Sequence, residues 1–189
     1  MSGGLKERVF TFTTPPGSKS ARITNSKIIV ITLEAVHFYA LTCRSPTDPT
    51  VLEPLCNIPS TEPIISVYST GPQTYILCSK TSASFYTHSP DDPTDIRPSE
   101  THGSFAYISP AVTAVWHSDM LILFHDDFIE IWDGTTYRLR QIIEGRDIRC
   151  VNTGDEKAGH RVVFAMRDPL NGRREIVAEL VPDPEAVSS

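Results

Sequence analysis

The sequence predicts an all-β chain in which about four antiparallel, four-stranded sheets stack as β-propeller-like blades, either as a closed small propeller or as part of a larger one. Three observations predict it. Four short apolar runs rich in β-branched and aromatic residues, at 27–32, 74–79, 120–125 and 161–166, start 47, 46 and 41 residues apart, which is the length of one four-stranded blade. Each run is followed by a short turn and a second strand-like run. Proline (15) outnumbers glycine (10), and Ser/Thr/Pro segments separate the runs, a composition that suits short strands and turns better than long helices.

The elements follow in chain order. Residues 1–7 are expected to be disordered. Residues 8–13 read as an outer strand that closes the ring by pairing with 176–180, or as part of a preceding blade. The domain runs over 8–181, with blades at about 21–59, 63–108, 111–145 and 147–181, and a disordered tail over 182–189. Within each blade a first strand (21–24, 64–68, 112–116, 148–151) precedes the central apolar run. A third strand follows it (36–41, 83–88, 129–134, 176–180). An aromatic recurs in the third strand as Tyr39, Tyr86 and Trp132; the fourth blade carries Glu179 at the expected place. Alternation at Leu139, Gln141 and Ile143 suits an outer strand with one packed face. Two long linkers, 42–62 and 89–109, exceed ordinary connection lengths and read as functional loops or inserts, with 51–55 and 105–108 as candidate outer strands. A lone four-stranded sheet cannot bury both faces, whereas stacked blades can; the near-continuous apolar central runs are therefore the doubly covered strands.

Charge and cysteine content narrow the function. Acidic residues (23) exceed Lys and Arg (17), for a net charge of −6, so a nucleic-acid partner held by phosphate contacts is not expected. A basic stretch nevertheless lies toward the C-terminus, and Arg138, Arg140, Arg146, Arg173 and Arg174 are its candidate interaction residues, against the plainer reading of a solvated strand face. Cys43, Cys56, Cys78 and Cys150 show no C-x-x-C spacing and read as reduced thiols. No apolar stretch approaches a membrane span, and residues 1–7 lack the apolar region of a signal peptide. A cytoplasmic location is expected, with any membrane contact peripheral.

Catalytic and metal chemistry find little footing. His117-Ser118-Asp119 and His125-Asp126-Asp127 supply the residue types of a nucleophilic triad but flank opposite ends of one strand, where they read as polar turns. Asp91, Asp92 and Asp95 lack the spacing and closing glutamate of a calcium loop, and no phosphate-binding loop, dinucleotide fingerprint or nucleophile elbow is present. No cofactor or metal is expected. Trp132-Asp133 matches the dipeptide that ends a blade strand, the indole packing between blades and the acid tying down the turn.

Residues 127–151, reading Asp-Phe-Ile-Glu-Ile-Trp-Asp-Gly-Thr-Thr-Tyr-Arg-Leu-Arg-Gln-Ile-Ile-Glu-Gly-Arg-Asp-Ile-Arg-Cys-Val, resemble the citron-homology (CNH) domain. The following pieces, Val-Val-Phe-Ala-Met and Ile-Val-Ala-Glu-Leu, are similar to the tails of fungal Rho exchange factors. The resemblance is concentrated in residues 112–181, and Asp147 stands where the family more often has Asn. It implies a propeller without catalytic residues, serving as a docking or regulatory surface whose partner is a protein, such as a small GTPase of the Rho or Rap type or its regulator. Two other classes compete: a phosphoinositide-binding or membrane-trafficking propeller, of which Gly172-Arg173-Arg174 is a faint echo, and a small hydrolase using His117 or His125.

Overall fold

The structure, a computed structural model, describes residues 13–24, 27–42, 51–89, 91–92, 94–153 and 161–181. The expected disordered ends (1–7, 182–189) and nearly all of the expected closing strand (8–13) lie outside the described residues. Every regular element described is a strand, and the strands form four antiparallel sheets. The first holds β1 (Ser20–Thr24), β2 (Lys27–Ile31), β3 (Ala35–Thr42) and β4 (Val51–Pro59). The second holds β5 (Ile64–Ser69), β6 (Thr74–Ser79), β7 (Ser82–His88) and β8 (Ile96–Pro98), with β9 (Ser104–Ala106) also paired to β7. The third holds β10 (Thr113–His117), β11 (Met120–Phe124), β12 (Phe128–Asp133) and β13 (Leu139–Glu144). The fourth holds three described strands, β14 (Arg149–Asn152), β15 (Val162–Arg167) and β16 (Glu175–Leu180). This is the expected all-β, four-bladed propeller arrangement.

The second strands of the second and third sheets are apolar throughout because each is covered on both faces. Alternate residues point to opposite neighbours. In β6, Tyr75 and Leu77 enter the core shared with the first sheet, while Ile76 and Cys78 enter the core shared with the third. In β11, Leu121 and Leu123 face the second sheet, while Ile122 and Phe124 face the fourth. Each such side chain contributes about 1.5–3 kcal/mol on burial, so three successive sheet-to-sheet cores carry most of the stability. Polar links along the first strands add to them. Tyr68 of β5 donates a 2.6 Å hydrogen bond to the Ala114 carbonyl of β10, and the Arg22 guanidinium of β1 sits 4.3 Å over the Tyr68 ring.

The register locates the recurring aromatic. Tyr39 opposes Ile28, Tyr86 opposes Tyr75 and Trp132 opposes Leu121, each partner being the second residue of a central strand. Tyr86 packs on the core shared with the first sheet and Trp132 on that shared with the second; both face the preceding blade. In the fourth sheet the residue opposite Val162 is Leu180, not Glu179. Leu180 packs back on the third sheet, while Glu179 turns to the far face and meets Arg161 at 2.8 Å. The one-residue difference follows from the period of two, which sends neighbouring strand residues to opposite faces.

The two long linkers are partly structured. β4 is longer than the expected 51–55, and β8 falls where only a loop is expected. Both contain proline (Pro54 and Pro59; Pro98), which an outer strand tolerates because it has one unpaired edge.

Candidate interaction surfaces

Strand direction sorts the connections onto two ends of the sheets. The β2–β3, β6–β7, β11–β12 and β15–β16 turns share one end, here the front, with the connections that lead from each sheet into the next. The β5–β6, β10–β11 and β12–β13 turns share the rear. The candidate arginines divide between them. Arg138 and Arg140 lie at the rear, on the β12–β13 turn and the start of β13, whereas Arg146, Arg173 and Arg174 lie at the front. They do not form one patch.

Pairing thins the basic stretch further. The Arg140 guanidinium is held by the Asp133 carboxylate and that of Arg167 by Asp147. Arg149 meets Glu175 through two bonds of 2.5 and 2.7 Å. The Arg149–Glu175 and Arg161–Glu179 pairs both lie on the far face of the fourth sheet, beside the 68 % exposed Val177. Among the described residues Arg138, Arg146, Arg173 and Arg174 make no ion pair, and all four are exposed.

Asp133 closes the β12–β13 turn. Its Oδ1 accepts hydrogen bonds from the Thr135 and Thr136 backbone N–H groups at 2.9 and 2.7 Å. The Thr136 bond leads in holding its carboxyl below the ordinary range, with Arg140 adding to it. Trp132 sits in an aromatic group with Phe105, ring centroids 4.6 Å apart.

The histidine triplets occupy turns at opposite ends of β11. Ser118 and Asp119 both have positive φ (50° and 55°), the left-handed pair of a tight two-residue hairpin turn. His125 is 2 % exposed. Its Nδ1 lies 3.0 Å from the Pro110 carbonyl, which can only accept, so Nδ1 carries the proton. Its Nε2 approaches Glu130 Oε1 at 3.1 Å, off the direction of a hydrogen bond, and its ring stacks on Phe128. This ring is locked in the framework and does not meet Ser118 across the strand. The acidic loop is self-contained as well: Asp92 Oδ1 accepts from the Thr94 backbone N–H and hydroxyl at 2.9 and 2.6 Å, and Asp95 pairs with Arg97 at 3.2 Å. Among the described residues no three His, Cys, Asp or Glu side chains converge on a metal-sized site, and no helix is long and apolar enough to cross a membrane.

Two features escape sequence reading. Glu130, fully buried, accepts from two donors, the Trp132 indole N–H at 2.6 Å and the Ile108 backbone N–H at 3.1 Å, with the His125 ring 3.1 Å away. It fastens the 107–112 connection to the third sheet and presents Ile108 and Val112, each 59 % exposed, at the front. Also at the front, a cleft of about 270 Å³ opens between the first two sheets, with Ile58, Ile64, Leu77 and Tyr86 as its apolar wall and Glu62 as its carboxylate. Glu62 Oε2 accepts from the Ser79 and Thr81 hydroxyls at 2.8 and 2.7 Å. These bonds, the Thr81 one first, hold its carboxyl below the ordinary range.

Comparison with known proteins agrees with this architecture. The solved AfRom2 CNH domain superposes with a TM-score of 0.60 at 16 % identity, over 87 % of this chain and 50 % of that one. Kluyvelomyces marxianus Hsv2 superposes with a TM-score of 0.50 at 11 % identity, over 82 % of this chain and 45 % of that one. At such identities the likeness is one of fold, and this chain spans about half the length of each. A stretch of 62 residues, 32 % of this chain, is 36 % identical to Rho1 guanine nucleotide exchange factor 3 of Schizosaccharomyces pombe, of which it covers 5 %. The CNH domain family matches residues 6–154, reaching far upstream of the segment where the resemblance is most visible to the eye. A match over more than three quarters of the chain shows that it belongs to the CNH domain family.

Proposed function

We propose that the chain is a non-catalytic interaction module in Rho- or Rap-type GTPase signalling, docking a small GTPase or one of its regulators in the cytoplasm. The observation that carries this reading is membership of the CNH family together with the 36 % identical stretch in a Rho1 exchange factor. The structure supports the non-catalytic half: the two histidine triplets are separate turns, and His125 is committed to Pro110 and Glu130. Arg138, Arg146, Arg173 and Arg174, exposed and without an ion pair among the described residues, are in this reading the basic groups that meet the partner, with Tyr39, Tyr86, Trp132 and Asp133 as framework.

Affinity purification of the chain from a fungal lysate tests it. Enrichment of Rho- or Rap-type GTPases, or of their exchange factors and activating proteins, is expected. A reproducible partner set without any of these overturns it. The phosphoinositide reading needs a convergent basic surface, and the split of the five arginines between front and rear weighs against one. Flotation with phosphoinositide liposomes is expected to leave the chain in the soluble fraction.

A further inference from the structure

We propose that the cleft between the first two sheets is a docking pocket for a lysine or arginine side chain presented by a partner protein. The proposal deepens the interaction-module reading and rests on it. Its shape suits such a side chain: about 270 Å³, with an apolar wall from Ile58, Leu77 and Tyr86 along which an aliphatic stem can lie. Its polar half is oxygen-rich. Ser60, Ser82 and Ser84 line it, and Glu62 is the charged group among its lining residues. A cationic head finds acceptors there and no competing cation.

Glu62 is already organised for the role. The Ser79 and Thr81 hydroxyls both bond to Oε2, which fixes the carboxylate in place and leaves Oε1 without a hydrogen-bond partner among the described residues. Those bonds also favour its charged form, so binding a cation costs neither a proton nor a rotamer search. Long-range electrostatics point the same way, since the chain carries a net charge of −6 and attracts basic partners. The β2–β3 turn beside the cleft is tied to it by the Ser60 N–H bond to the Glu34 carbonyl, 2.8 Å, and bears Leu33, 56 % exposed. A peptide with a basic residue in the cleft therefore has an apolar contact next to it.

Isotope-labelled full chain titrated with Nα-acetyl-lysine methylamide and Nα-acetyl-arginine methylamide tests the pocket by amide chemical shifts. The controls are the charge-free counterparts, Nε-acetyl-lysine and citrulline in the same capped form. Saturable shifts confined to 58–64 and 79–86, absent with the controls and at least ~10-fold weaker in E62Q, are expected. Equal response to charged and uncharged probes, or none to either, overturns the proposal without recourse to any variant. Unchanged affinity in an E62Q chain with a native spectrum overturns it too. None of these failures touches the partner-enrichment test of the GTPase reading, so the two are separable.

Discussion

The Trp132 indole N–H donates a 2.6 Å hydrogen bond to Glu130 Oε2, two residues back on the same strand, inside a site closed to water. A carboxyl at that depth is tolerated only when its oxygens find donors, and here the strand supplies one donor while the 107–112 connection supplies another. Replacing Glu130 by Ala strands the indole and Ile108 N–H groups, so a loss of about 3–5 kcal/mol is expected in urea unfolding. Glu130→Gln keeps one acceptor oxygen and is expected to lose less.

Asp133 makes stability depend on acid. Its carboxyl is lowered from 3.8, first by the Thr136 backbone N–H. A depressed folded value means that the unfolded chain binds the proton more readily. The contribution is therefore fully present above about pH 4 and is lost as pH falls through the lower folded value. Asp133→Asn is expected to cost about 1–3 kcal/mol at pH 7, and the gap between the two proteins is expected to narrow in chemical denaturation as the pH is taken below the ordinary carboxylate range.

Gly134 has no room for a side chain. A Cβ there would run into the Trp116 indole and the Asp119 carbonyl, where the β10–β11 and β12–β13 turns are already joined by the 2.8 Å bond from Gly134 N–H to Asp119. Gly134→Ala is expected to lower the thermal midpoint by several degrees in calorimetry.

Cys78 is expected to be inert. It is fully buried in the core between the second and third sheets, and burial pushes its thiol up to about 12. At pH 8 about one thiol in 10⁴ is ionised, and only the thiolate reacts. Labelling by iodoacetamide, read by mass spectrometry, is expected to reach Cys78 at the rate of unfolding, and to reach the half-buried Cys56 and Cys150 sooner.

The architecture was legible where burial is two-sided. A strand covered on both faces must be apolar throughout, so the central runs and their spacing announced four blades, and Tyr86 and Trp132 marked the matching third strands. One-sided or exposed strands leave a thinner trace: β4 and β8 carry proline, and β13 is almost wholly exposed. In the fourth blade the lack of an aromatic hid a one-residue offset, and only pairing shows that Leu180 stands where Trp132 stands in the third.

Surface geometry was harder to read. Arg138 and Arg146 are eight residues apart in sequence, yet an intervening strand carries them to opposite ends of the fold. The cleft at Glu62 joins residues from four strands and a connecting loop, none of which forms a motif. Glu130 looks like a solvent-facing charge in an alternating strand, and its burial depends on a loop arriving from 22 residues upstream.

The most direct test of the account is quantitative binding of the purified chain to partners drawn from a fungal extract, scored against an unrelated β-propeller. Selective enrichment of Rho- or Rap-type GTPases or their regulators is the predicted result. A stable, reproducible set of partners with no connection to those GTPases would contradict it.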